Sequence, residues 1–312
     1  MTDRQLPKPL RGIIPPLLTP LAGRDQLDLP GLEKLIEHVL AGGVHGLFIL
    51  GTTGEGPALS YGLRHELVER VCQQVNGRVP VLVGITDTSL VEALRLAEHA
   101  EDAGAAAVVA SAPYYFPIGQ TELRRNVKLL AEESPLPVYL YNMPSHTKTV
   151  FDLETVRQAL DLPNVVGLKD SGGDLKYFHE VGCLIRQRRP DWSLLIGPEE
   201  LVGEAVLLGA HGGVSGGANL APRLFVDLYE AAVRQDVPRV RALSERVWFI
   251  SREIYRFGVF QGLKCALSLL GVCSDLPAEP FPRVTEADRQ AIEKALTEMG
   301  LRSDQISATV AR

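Results

Sequence analysis

Short apolar runs recur along the chain, each followed by a stretch in which apolar residues return every three or four positions. The runs are GIIPPLL from Gly12, GLFIL from Gly46, VPVLVGI from Val79, AAVVAS from Ala106, PVYLYN from Pro137, NVVGLKD from Asn164, SLLIG from Ser193 and GGVSG from Gly212. They are apolar throughout rather than alternating, the mark of parallel strands covered on both faces. Between them lie amphipathic helices. In LPGLEKLIEHVLAGG (from Leu29), Leu32, Leu35, Ile36, Val39 and Leu40 form one stripe; in SLVEALRLAEHAEDAG, Ser89 offers an N-cap and Gly104 a stop. Eight strand–helix units spaced by roughly 20–35 residues predict an α/β fold of the (β/α)₈ TIM-barrel type. A doubly wound sheet is the alternative. It normally has fewer strands and a G-x-G-x-x-G turn after the first, whereas this first run leads into Pro15, Pro16 and Pro20. After about residue 236 the strand signals stop. RVRALSERVWFISREIYRFG, FQGLKCALSLLGV and TEADRQAIEKALTEMG read as helices, with Thr285 an N-cap and Gly300 a C′ residue. The expected division is a barrel over 11–236 carrying the active site and a helical region over 237–312, whose expected role is packing against the barrel or another subunit.

Composition narrows the class. The 312 residues are 46% hydrophobic with a net charge of −6. No basic block points to nucleic acid, and the run Arg186–Arg189 falls at a predicted helix end, where it complements the helix dipole. The N-terminal MTDRQLPKPLRG has no signal-peptide apolar core, and no stretch of 18 apolar residues predicts a membrane span. Cys72, Cys183, Cys265 and Cys273 lack C-x-x-C spacing and read as reduced, inert thiols of a cytoplasmic protein. The seven histidines show no H-x-x-x-H pair, which disfavours a metal enzyme; no metal or cofactor is expected.

In such a barrel the chemistry lies at the C-terminal ends of the strands. Those ends read GTTGEG (51–56), SAPYYF (111–116), YNMPSHTK (141–148), Lys169 followed by DSGGD, IGPEE (196–200) and GGVSGGAN (212–219). A lysine in an apolar mouth is shielded from water, which favours the neutral amine that attacks carbonyls. The plain alternatives are snorkelling or pairing with Asp170, but adjacent strand residues face opposite sides. Tyr141 is either core or a proton shuttle. Tyr114 and Tyr115 with Phe116 read as an aromatic cluster. The GTTGEG turn, with two hydroxyls and exposed N–H groups, suits a small carboxylate.

The motifs Gly51-Thr52-Thr53-Gly54-Glu55, Tyr141-Asn142-Met143-Pro144 and Gly167-Leu168-Lys169-Asp170, with the spacing between them, resemble the pyruvate-dependent class I aldolase superfamily of dihydrodipicolinate synthase and N-acetylneuraminate lyase. The resemblance implies a homotetramer in which Lys169 forms an imine with pyruvate or another 2-oxo acid. It implies Tyr141 as proton relay, Thr52 and Thr53 as carboxylate ligands, Thr53 as the link from Tyr141 to Tyr115, and Tyr115 as a group reaching a neighbouring subunit's site. The synthases carry an arginine five residues after the catalytic tyrosine; here that position is His146, and Lys148 stands where a glycine is usual. Ser171 resembles the sugar-acid and 4-hydroxy-2-oxoglutarate aldolases and the neuraminate lyases. Gly197, Glu199 and Glu200 align with the lyase segment that binds a polyol tail, the two glutamates reading equally as the acidic first turn of a helix. Ser215, in the last strand-end motif, is counted with the substrate-binding residues. The expected activity is a metal-independent lyase acting on pyruvate and 4-hydroxy-2-oxo acids. Dihydrodipicolinate synthase, N-acetylneuraminate lyase and a 2-keto-3-deoxy acid dehydratase are the enzyme alternatives, and a non-catalytic 2-oxo acid sensor is the alternative of another class.

Overall fold

A computed structural model describes residues 6–301; residues 1–5 and 302–312, the last part of the expected helical region, lie outside the described residues. Every one of the eight apolar runs contains a strand. These are β1 (Gly12–Ile13), β2 (Leu47–Ile49), β3 (Val81–Gly84), β4 (Ala107–Ser111), β5 (Val138–Asn142), β6 (Val165–Asp170), β7 (Ser193–Ile196) and β8 (Gly212–Gly213). They pair in parallel from β2 through β8, and β8 pairs with β1. Between β1 and β2 the link is a parallel bridge at Pro16–Phe48, with backbone bonds from His45 N to Ile13 O, Phe48 N to Pro15 O and Leu17 N to Phe48 O. Pro15 and Pro16 have no N–H to give a ladder, so β1 is short although its chain continues along β2. The result is a TIM-barrel-like α/β fold with C-terminal helices.

Burial on both faces explains the unbroken apolar runs. Ala107 and Val109 of β4 join an inner cluster with Ile14, Phe48 and Leu82, while Val108 and Ala110 pack outward under the helices. Tyr139 forms part of the inner floor. Its hydroxyl lies 2.9 Å from Ser193 Oγ, which also accepts from Leu10 N. The helices start where their caps predict: Ser89 accepts from Glu92 N ahead of the helix Leu90–Ala103, and Gly104 ends it in the left-handed region at φ 89°.

The helical region begins with the helix Val237–Glu253 and continues with Val259–Leu269 and Glu286–Glu298, the last capped reciprocally by Thr285 and Asp288. An antiparallel hairpin, Leu21–Gly23 with Gln26–Leu27, was not expected; it lies in the loop after β1. Arg186 and Arg188 do sit in the last turn of the helix Leu175–Arg188. Burial pushes the Cys265 and Cys273 thiols up to about 11 and about 12, which makes them poor nucleophiles. Among the described residues no helix is long and apolar enough to cross a membrane.

Candidate active site

Lys169 stands on β6 in register with Tyr141 on β5 and Leu195 on β7. Lower in the sheet the β5–β6 pairing slips by one residue, from Val138–Val165 to Tyr139–Gly167, and above that slip Gly167 and Lys169 lie beside the inward-facing Tyr139 and Tyr141. Lys169 is 6% exposed, and its Nζ lies 4.0 Å from the centre of the Tyr141 ring and 5.0 Å from that of Phe48. Asp170 faces away from the mouth, as expected for its strand neighbour. Its Oδ1 accepts from Asn142 Nδ2 at 2.7 Å and from Gly172 N, and burial raises its pKa.

Tyr141 is 6% exposed, with its hydroxyl 3.4 Å from Thr52 Oγ1. Burial alone would raise its pKa. The Lys169 charge and hydrogen bonds from Thr52, Ser171 and Lys169 outweigh burial and bring it below the usual phenol value. A phenol that gives up and takes back a proton more readily is suited to acid–base work.

Two adjoining hollows open on Tyr141 and also share Thr52, Met143, His146 and Phe260. One, of about 470 Å³, holds Lys169 together with Thr53, Ser171, Gly197, Glu199 and Glu200. The other, of about 380 Å³, runs over Leu50, Pro57, Ala58 and Phe281 to Tyr114 and is mainly apolar. Among the described residues lining them there is one lysine, Lys169, and no arginine. His146 lies at the junction with Nδ1 2.9 Å from Ser145 Oγ; burial and the nearby Lys148 lower its pKa, which leaves it neutral at pH 7. Gly197 packs directly against Ser171: a Cβ there would fall 1.9 Å from Ser171 Oγ.

Glu199 and Ser215 are placed otherwise than expected, and Tyr115 stands outside the hollows of its own chain. Glu199 reaches the Lys169 hollow, but its carboxylate is taken: Oε1 accepts from Tyr255 OH at 2.7 Å and Oε2 from Gly217 N at 2.8 Å. Burial raises its pKa to about 7. Ser215 is fully buried and lines neither hollow; Val214 and Gly216 on either side of it do, as the alternation of an extended chain requires. Tyr115 is 75% exposed, stands edge-on to Phe116 at 5.1 Å, and lines neither hollow within one chain.

The helical region contributes residues that pattern reading did not single out. Tyr255, Phe260 and Phe281 line the hollows. Lys264, 0% exposed, pairs with Glu55 of the GTTGEG turn. A usable signal was present: Lys264 is the one charged residue in GLKCALSLLGV, and a lone charge in an apolar helix calls for a partner.

Known proteins share both sequence and shape with this chain. It is 34% identical over 294 residues to a 4-hydroxy-tetrahydrodipicolinate synthase of Methanopyrus kandleri, covering 94% of this chain and 97% of that protein. An uncharacterized DapA-like lyase of Halobacterium salinarum is 33% identical over 295 residues, 95% of this chain and 96% of that one. A solved dihydrodipicolinate synthase from Bacteroides thetaiotaomicron superposes with a TM-score of 0.91 at 51% identity, over 94% of this chain and 100% of that one. A prophage protein of the dihydrodipicolinic acid synthase family from E. coli K12, solved in complex with pyruvate, gives 0.89 at 29% identity, over 93% and 99%. The model of the dihydrodipicolinate synthetase family matches residues 9–299. With the lysine and tyrosine of its strand ends side by side in the mouth, the chain belongs to the dihydrodipicolinate synthetase family of class I lyases.

Proposed function

We propose that the protein forms an imine between Lys169 and pyruvate and makes or breaks the carbon–carbon bond next to it. The observation that carries this is the buried Lys169 Nζ held 4.0 Å from the Tyr141 ring at an open hollow. The amine adds to C2 of the 2-oxo acid, and the carbinolamine loses its hydroxyl as water with a proton from Tyr141. The iminium withdraws electrons, so C3 gives up a proton and becomes a nucleophilic enamine carbon. In condensation that carbon bonds to an aldehyde carbon, the alkoxide takes a proton, and water releases the product from Lys169. Cleavage is the reverse. Thr52 and Thr53 border the place where the pyruvate carboxylate would lie. The complex of the E. coli relative with pyruvate supports the same ligand here.

For the second substrate, the relatives named as synthases support condensation with aspartate semialdehyde over the cleavage of 4-hydroxy-2-oxo acids expected from the sequence. Cleavage remains the second reading on one specific observation. The described lining has no arginine and a neutral His146, so a second carboxylate finds no cationic fork. Ser171 and Glu200 in the Lys169 hollow suit a hydroxylated partner instead. A homotetramer, with Tyr115 completing a neighbour's site, is part of the proposal.

Borohydride with pyruvate should trap one pyruvyl adduct per chain, at Lys169, and none on Lys169→Ala. An intact mass without the adduct on folded protein rules out the imine. Coupled assays with aspartate semialdehyde, and pyruvate release from 4-hydroxy-2-oxo acids, then rank the two readings by kcat/KM.

A further inference from the structure

Glu55 and Lys264 form an ion pair whose side chains are both wholly buried. Glu55 Oε2 also accepts from Ala278 N at 2.7 Å, and Lys264 Nζ donates to the Leu276 carbonyl at 2.8 Å. Burial lowers the Lys264 pKa, and the Glu55 charge opposes that shift. Such a pair is weak evidence of stability in itself, because desolvation offsets the attraction. Its role is better sought in what it holds.

Glu55 closes the turn that carries the two threonines. Its N–H donates to the Thr52 carbonyl at 3.1 Å, and its own carbonyl accepts from Ala58 N at 2.8 Å. The turn runs between two left-handed residues that are not glycine, Leu50 at φ 57° and Glu55 at φ 58°. Such conformations persist where the surroundings enforce them, and they gather at functional sites. Within the turn, Thr52 Oγ1 lies 3.4 Å from Tyr141 OH. The other end of the tether is the helix Val259–Leu269, whose Phe260 lines both hollows.

We infer that the buried Glu55–Lys264 pair is a positioning device that holds the Thr52–Thr53 turn in register with Tyr141, setting the carboxylate side of the mouth from the helical region. Glu55 and Lys264 act through the turn and need not touch substrate. The ligand assumed, a small 2-oxo acid, rests on the proposed imine chemistry; the tether itself does not.

The test replaces both charges at once, E55Q/K264M, so that no unpaired charge is left buried. Two quantities are read. One is the pyruvate concentration that half-saturates borohydride trapping at Lys169. The other is the ionisation of Tyr141 without pyruvate, taken as the alkaline absorbance difference against the same protein carrying Tyr141→Phe. The half-saturating concentration should rise on the order of 10- to 100-fold, the scale of a misplaced binding group. Tyr141 should ionise at higher pH than in the parent, because the Thr52 hydroxyl moves away. A variant that melts lower but keeps the parent's Tyr141 ionisation overturns the inference. If the double variant does not fold, Glu55→Asp keeps both charges, shortens the tether by one methylene and is read the same way. A parent that traps no pyruvate defeats the imine chemistry alone, since the Tyr141 measurement still decides the tether.

Discussion

Lys169 and Asp170 are chain neighbours with opposite surroundings. One amine reaches the mouth beside Tyr141, and one carboxylate is bound on the outer side by Asn142 and Gly172. If Tyr141 moves the protons, Tyr141→Phe should lower kcat by about 10²–10⁴-fold while pyruvate still binds; steady-state kinetics at saturating pyruvate checks this. Glu199 supplies a prediction of stability against pH. Its pKa rises from 4.5 to about 7 on folding because its carboxylate is buried. Between those values the folded protein holds a proton that the unfolded chain has released, so the contribution present below 4.5 is lost as pH rises through 7. Glu199→Gln resembles the protonated acid and does not titrate. Its Tm relative to the parent should therefore climb as pH goes from about 5 to about 8, followed by thermal scans at each pH. A constant difference would mean that Glu199 is charged throughout.

At the scale of elements, β6 depends on its glycine as well as its lysine. A Cβ on Gly167 would lie 2.4 Å from Tyr139 Cε1 and 2.7 Å from the Ser193 carbonyl oxygen of β7. Tyr139 is already fixed by Ser193, so the ring cannot swing away freely. Gly167→Ala should cost about 1–3 kcal/mol by overpacking, measured by urea unfolding, with less pyruvate trapped at Lys169 because the same strand carries it. The strands were legible because burial on both faces leaves runs such as AAVVAS with no polar break. The caps were legible because Ser89 and Thr285 act on the N–H groups next to them. The hairpin after β1 was not legible: Leu21–Gly23 and Gln26–Leu27 are two or three residues each, too short to show a period, and Leu21 is bridged to the distant Leu276.

At the scale of the molecule, Tyr114, Tyr115 and Phe116 form an apolar patch beside the apolar hollow, exposed by 38%, 75% and 73%. The proposed tetramer would cover them, and sedimentation velocity at micromolar concentration should give four times the chain mass of 34.0 kDa. A monomeric boundary would leave Tyr115 without its proposed role. The sequence by itself determined the eight parallel strands, the helices between them and the lysine and tyrosine at adjacent strand ends, because period, capping and strand-end position are properties of neighbouring residues. The tertiary structure alone decided which polar groups are spent on the protein itself. Glu199 turns to Tyr255, and Glu55 is held by Lys264 and by an N–H 223 residues away. Each partner comes from a segment remote in the chain, and only the closing of the helical region over the strand ends brings it within hydrogen-bonding reach.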